Sequence, residues 1–384
     1  MSFLSFRPFQ PPEDPLQQAA FTLQQELVGL FDVQDVRLRG PGQAPIVFSG
    51  RYLGVEPERG YDELRRRFQR YGFTPLLRHD DGRDRLLALP GVIPEGRTGN
   101  PLVNVLLFLA TVFTTLAAGA ELAGDGGLFQ ALLVANLQEA GRLALVGAPF
   151  SLTLLAILGV HEFGHYAAAR WHRVTATLPY FIPMPVGGLG TLGAFISVRS
   201  PMKNRTVLFD IGLAGPLAGF VVAVPLLVAG ILLSEPVSGI APGLTQRVLG
   251  SSVLVRVISN FFSSALPNQT LALHPVYFAA WLGMLITGIN LLPIGQLDGG
   301  HVAYALFGRA AHHVARGAFL LLIVAGMLLS RTWLIWALFA LFGGLHHPPP
   351  LNDIVPLDGA RRLAGLSTIG LFFLIIVPVP FIQG

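Results

Sequence analysis

The stretch Leu143-Ala-Leu-Val-Gly-Ala-Pro-Phe-Ser-Leu-Thr-Leu-Leu-Ala-Ile-Leu-Gly-Val160-His161-Glu162-Phe163-Gly164-His165 decides how this chain is read. A long uncharged apolar run ends in H-E-x-x-H. If the run is helical, His161 and His165 lie little more than one turn apart and share a face. Two neutral imidazoles held in this way form a clamp for Zn²⁺. Glu162, beside them, can take a proton from water at the metal. The motif occurs by chance in unrelated helices, but the setting here is apolar. An ionisable group in hydrocarbon costs about 2.5–3.5 kcal/mol on the insertion scale, so groups kept there usually serve a function.

Composition supports that setting. The chain has 384 residues, 52% hydrophobic and 12% charged, with a mean hydropathy of +0.59. Soluble domains carry about 25% charged residues. This composition points to an α-helical polytopic membrane protein with a soluble piece attached. There are no cysteines, which excludes disulfides, thiolate metal ligands, iron–sulfur clusters and thiol nucleophiles. The net charge of +4 rests on arginine, with Lys203 the sole lysine, and gives no reason to expect a nucleic-acid partner.

The charge is concentrated at the N-terminal end, where positions 1–97 hold 13 acidic and 13 basic side chains. Residues 1–15 read as a flexible segment without the pattern of a signal peptide. Residues 16–97 read as a small soluble α+β domain: a helix near 16–31, strands near 33–39 and 45–53, a helix near 60–71, then strands near 73–79 and 84–89. Tyr61, Leu64, Phe68 and Tyr71 stand at helical spacing, and Asp80-Asp81-Gly82 marks the last turn. Arg65-Arg66-Arg67 reads as a solvated helix face, with contact to anionic lipid as the alternative. Nothing in this region forms a catalytic constellation, though it could bind a regulatory partner.

Residues 98–384 form the membrane part, with apolar runs near 102–120, 143–168, 206–233, 273–294, 315–329, 332–345 and 366–382. That is about seven spans, some short for a hydrocarbon core of about 30 Å. An exposed loop with a short interfacial helix is expected over 121–142. The prolines and glycines of 179–200 forbid a straight helix, and 192–198 can form a strand, giving a membrane-embedded β-hairpin. Arg170, Arg173, Arg199, Lys203 and Arg205 follow the second span. The bias of basic residues places the N-terminal domain and the H-E-x-x-H side in the cytoplasm, with a bacterial cell membrane as the expected location.

A catalytic zinc takes three protein ligands and leaves one position open. Asp298, in Asn290-Leu-Leu-Pro-Ile-Gly-Gln-Leu-Asp298-Gly299-Gly300-His301, is the leading third ligand, because it is a lone carboxylate after an apolar span. A helix N-cap or turn role is its alternative, and His301 is a competing ligand. His312-His313 and His346-His347 read as interfacial loop histidines, and His172 and His274 need no special role. Asn290 could hydrogen-bond substrate backbone or an oxyanion, or simply join two helices. Strand addition along 190–198 could hold an unwound substrate.

His161-Glu162-Phe163-Gly164-His165 in one apolar span, with Asn290-Leu291-Leu292-Pro293 and Leu297-Asp298-Gly299-Gly300 in a later one, resembles the site-2 protease family of intramembrane zinc metalloproteases. The likeness covers about 100–384. Pro179-Tyr-Phe-Ile-Pro and Gly190-Thr-Leu-Gly-Ala-Phe are similar to the subgroup of plastid EGY proteases and their bacterial relatives. The resemblance implies His161, His165 and Asp298 as ligands of one Zn²⁺ per chain and Glu162 as general base. It also implies membrane-anchored proteins as substrates, cut within the bilayer. Ile294-Gly295 stands where many members have a second proline, and no inserted PDZ domain is evident. A metal or proton transporter and an inactive scaffold are the competing readings. The transporter has no need of a glutamate beside the histidines, and inverted repeats are not evident.

Overall fold

The structure is a computed structural model and describes residues 14–38, 46–53, 57–80, 82–93, 96, 99–185, 188–237, 248–263 and 270–382. The N-terminal segment expected to be flexible lies almost wholly outside the described residues, as does Asp81 of the expected turn. The chain divides into two compact units: residues 1–94 with 201–205 and 349–356, and the remainder.

The first unit is an antiparallel sheet with two helices: α1 (Pro15–Glu26), β1 (Phe31–Leu38), β2 (Ile46–Tyr52), α2 (Pro57–Gln69), β3 (Phe73–Asp80) and β4 (Arg83–Pro90), with strand order β1-β2-β4-β3. Asp14 caps α1, and the helix stops earlier than expected because the chain turns at Gly29, which adopts φ +80°. Tyr61, Leu64 and Phe68 of α2 are buried with Leu23, Leu27, Phe48, Leu77 and Leu86. Tyr71 lies past the helix end and its hydroxyl donates to Glu26. Of the arginine run, Arg66 and Arg67 pair with Glu63, and Arg67 also donates to the Glu26 carbonyl.

The edge of β3 is covered by chain from far away in sequence. The amide of Leu77 donates to the Leu351 carbonyl at 2.9 Å, and Asp353 donates back to Leu77 at 3.0 Å. Leu351 and Asn352 in turn donate to Met202 and Lys203. Buried Arg78 donates to the carbonyls of Pro350 and Leu351, and Arg205 pairs with buried Asp353 at 2.8 Å. An unpaired sheet edge is thereby closed.

The second unit holds α3 (Pro101–Leu122), α4 (Leu128–Leu133), α5 (Leu137–Trp171), β5 (Tyr180–Pro183), β6 (Thr191–Phe195), α6 (Arg205–Leu232), α7 (Val253–Phe262), α8 (Pro275–Asn290), α9 (Asp298–Phe307), α10 (Ala311–Leu328), α11 (Thr332–Gly343) and α12 (Gly359–Ile375). Short strand pairs join 235–237 to 270–272 and 248–249 to 381–382. Among the described residues, four helices are long and apolar enough to cross a membrane, against the seven spans expected: α3, α5, α6 and the nearly continuous α9–α10. The expected span 273–294 holds the 16-residue α8, which rises about 24 Å. It stops at Asn290 because the chain turns sharply through 291–297, with Gly295 at φ +54°. α5 starts six residues earlier than expected, since the Asn136 side chain caps the Glu139 amide. Trp281 and Phe278 of α8 are fully buried, so this short helix is central to the unit. β5 and β6 form the expected hairpin, pairing Phe181 with Ala194. Asn104 of α3 anchors it by donating to the carbonyls of Leu178 and Pro179.

Candidate active site

Three helices meet at the H-E-x-x-H. α5 carries His161, Glu162 and His165 on its buried side, each no more than 6% exposed. α6 lies directly behind them. Gly164 faces the Ala214 carbonyl, and Gly215 and Gly219 lie against the rings of His165 and His161, where a Cβ at 215 would sit 2.1 Å from His165 Nε2. α9 begins with Asp298. Its N-cap position is Leu297, and the Asp298 carboxylate turns to the histidines. Gly299 allows the approach: a Cβ there would meet the Leu291 carbonyl at 2.0 Å.

His165 Nδ1 donates to the Ile211 carbonyl at 2.7 Å, which puts its proton there and leaves Nε2 free. That Nε2 is 3.2 Å from His161 Nε2 and 3.3 Å from Asp298 Oδ1, and His161 Nε2 is 3.2 Å from Asp298 Oδ2. Donors about 2.0 Å from a tetrahedral zinc stand about 3.3 Å from one another, so the three groups fit one face of such a site. Three lone-pair donors turned to one point suit a divalent cation better than they suit each other. The residues present therefore fit Zn²⁺, and among the described residues they form the metal-competent cluster.

A cavity of about 210 Å³ opens at this cluster, lined also by Glu162, Ile196, Asn290 and His301. Asn290, the last residue of α8, brings Nδ2 to 3.4 Å from His161 Nε2. Ala194, Phe195, Ile196 and Val198, in and after β6, run along the cavity wall. His301 is not in the three-donor cluster, because its Nδ1 is taken by His347 Nε2 at 2.6 Å. His347 is only 6% exposed, so it is not the interfacial loop histidine expected from sequence. His172, given no role by sequence, bonds Asp210 at 2.8 Å, and Arg361 holds the same carboxylate at 2.7 and 2.8 Å. Asp210 precedes Ile211, whose carbonyl orients His165, so this ion cluster braces that carbonyl. No local pattern announces these pairings. The only sequence signal was a lone aspartate in an apolar helix.

Comparison with known proteins agrees with the geometry. Residues 149–330 match peptidase family M50. The chain is 27% identical over 377 residues to a probable zinc metalloprotease EGY2, chloroplastic, of Oryza sativa subsp. indica, covering 95% of this chain and 67% of that protein. It is 26% identical to the EGY2 protein of Arabidopsis thaliana, covering 91% and 63%. It is 34% identical over 241 residues to the Arabidopsis EGY1 protein, covering 60% and 43%. The chain thus spans about two thirds of the EGY2 proteins and less than half of EGY1. These relatives are chloroplastic, which goes against the expected bacterial cell membrane. Basic-residue bias orients a chain across a membrane but does not identify the membrane. With H-E-x-x-H and the aspartate converged, a match to peptidase family M50 over residues 149–330 and probable zinc metalloproteases as relatives along most of its length, the chain is similar to the site-2 protease family of zinc metalloendopeptidases, and within it to the EGY proteins.

Proposed function

We propose that this chain hydrolyses peptide bonds within or near the transmembrane segments of membrane-anchored proteins, as in regulated intramembrane proteolysis, with a chloroplast membrane as its location. His161, His165 and Asp298 are the zinc ligands in this reading, and Glu162 is the general base and then acid. The observation that carries it is the three-way convergence of donors at 3.2–3.3 Å inside apolar helices. When bound there, zinc supplies Lewis acidity, polarising a carbonyl and making water acidic enough to react at neutral pH. Glu162, in the same cavity, takes the proton of the attacking water and passes it to the leaving amine. The Asn290 amide donates to substrate backbone. The wall after β6 offers backbone groups to which an unwound substrate can pair, since a helical substrate hides its scissile bond.

The finer organisation belongs to the same reading: seven crossings in all, with α8, α11 and α12 as the short ones. Residues 16–97 act as the soluble domain and 98–384 as the protease part. The soluble domain docks a regulatory partner, while substrate and lipid surround the protease part. The test is the metal content of purified protein beside His161→Ala and Glu162→Gln, together with cleavage of a single-span peptide. About one zinc per chain, lost in the first variant and kept without cleavage in the second, is expected. A Glu162→Gln protein that still cuts would remove the general-base role.

A further inference from the structure

Two stretches of backbone border the cavity at the metal-competent cluster. From the Glu162 side comes the chain that continues β6. There the Thr177 amide donates to the Ser197 carbonyl at 3.0 Å and the Arg199 amide to the Thr175 carbonyl at 2.7 Å, so residues 197 and 199 turn their backbone groups to 175–177. Ile196 and Val198 alternate with them and turn theirs to the other edge. Both line the cavity, and the Ile196 amide donates to Glu162. From the His161 side comes the turn 291–297, entered through Asn290, whose Nδ2 is 3.4 Å from His161 Nε2. Backbone pins this turn: a Cβ at Gly295 would stand 2.0 Å from the Gly344 carbonyl oxygen, and one at Gly300 2.3 Å from that of Gly295. Within 291–297 Gln296 alone is exposed, and it lines the catalytic cavity two residues before Asp298. Among the described residues its carboxamide has no hydrogen-bond partner.

An extended substrate has two edges, and its N–H and C=O groups point alternately to one and the other. Pairing along 196–198 satisfies one edge only. Once substrate fills a cavity of about 210 Å³, little room is left for water to satisfy the second, and each buried polar group left bare is costly. We propose that Gln296 is a substrate-binding residue that holds this second edge. Its Oε1 accepts from one substrate N–H and its Nε2 donates to one carbonyl, close to the scissile bond. A carboxamide does both at once without carrying a charge. Gripped by backbone on both edges, the substrate is recognised as unwound chain more than by its side chains. This inference rests on the proteolytic reading above.

The test uses the full-length zinc-loaded protein and a quenched-fluorescent single-span peptide with a helix-breaking Asn-Gly pair. The peptide is made as the plain amide and as a series of esters. Each ester replaces one backbone N–H within about three residues of the scissile bond. Gln296→Leu, a change at an exposed position, is expected to keep its zinc and to lower kcat/KM on the amide peptide about 10-fold. In the wild type, the ester at the position facing Gln296 lowers kcat/KM by a similar factor. In Gln296→Leu the same ester costs less than about twofold, while esters facing the β6 side cost both proteins alike. A Gln296→Leu protein within about twofold of wild type on the amide peptide overturns the assignment, as does one that loses its zinc. Esters that cost the variant as much as the wild type at every position also overturn it, since a residue that only supports the turn does not share its loss with one substrate N–H. If the wild type cuts none of the peptides, the proteolytic reading itself fails, and this inference falls with it.

Discussion

Replacing Gly215 by alanine is expected to empty the metal site. A Cβ at this position would lie 2.1 Å from His165 Nε2, 2.4 Å from Cδ2 and 2.5 Å from Cε1. Ordinary contact between such atoms is about 3.5 Å, so the ring or the helix must yield by roughly 1.4 Å. The ring has nowhere to go without breaking its 2.7 Å bond to the Ile211 carbonyl, which would leave a buried N–H unpaired at about 1–3 kcal/mol. Zinc ligands tolerate displacements of only about 0.2 Å. Zinc affinity should therefore fall by at least about 10–100-fold, and cleavage by about 10²-fold or more. Gly219→Ala provides the graded comparison. Its Cβ would lie 3.1 Å from His161 Cβ and 3.2 Å from Nδ1, which asks for only a few tenths of an ångström. It should keep its zinc. The assay is zinc per chain after dialysis against a graded chelator, with helicity by circular dichroism to confirm folding. A folded Gly215→Ala protein with wild-type zinc and activity would refute the packing argument, as would equal losses in both variants.

Asp298→Ala is expected to lose stoichiometric zinc, and full zinc content by elemental analysis would place the third ligand elsewhere. Chelator treatment should stop cleavage reversibly, with activity returning on addition of zinc alone. Asp353→Ala should destabilise the N-terminal unit by about 3 kcal/mol, because it strands Arg205 beside a buried site. Faster hydrogen exchange at the amides of Leu77 and Asn352 would report that change. Phe48→Ala, at a fully buried position in the sheet, should cost about 3–5 kcal/mol by denaturant titration of the same amides.

The elements that could be read along the chain were those set by neighbouring residues. The four-residue spacing of His161 and His165, the helical stripe Tyr61–Leu64–Phe68 and the broken backbone after Pro179 each follow from local geometry, and each stands close to where it was expected. Helix ends were harder. α1 ends early at a turn through Gly29, and α8 ends at Asn290 because the following turn packs against other backbone, which no local pattern records. Seven apolar runs do not by themselves fix seven crossings, and among the described residues four helices are long and apolar enough for one.

The sequence by itself determined the class of protein, the chemistry of the pair of motifs and the identity of the residues that could hold a metal. Residue type and short spacing carry that information. Only the tertiary structure decided that Asp298, 137 residues from His161, completes the cluster while His301 turns away to His347. The same is true of α6, whose glycines leave the histidines room, and of residues 349–356, which close a sheet begun near the N-terminus. These contacts join positions far apart along the chain. They exist only where packing of whole helices brings them within a few ångströms, and local periodicity holds no record of that distance.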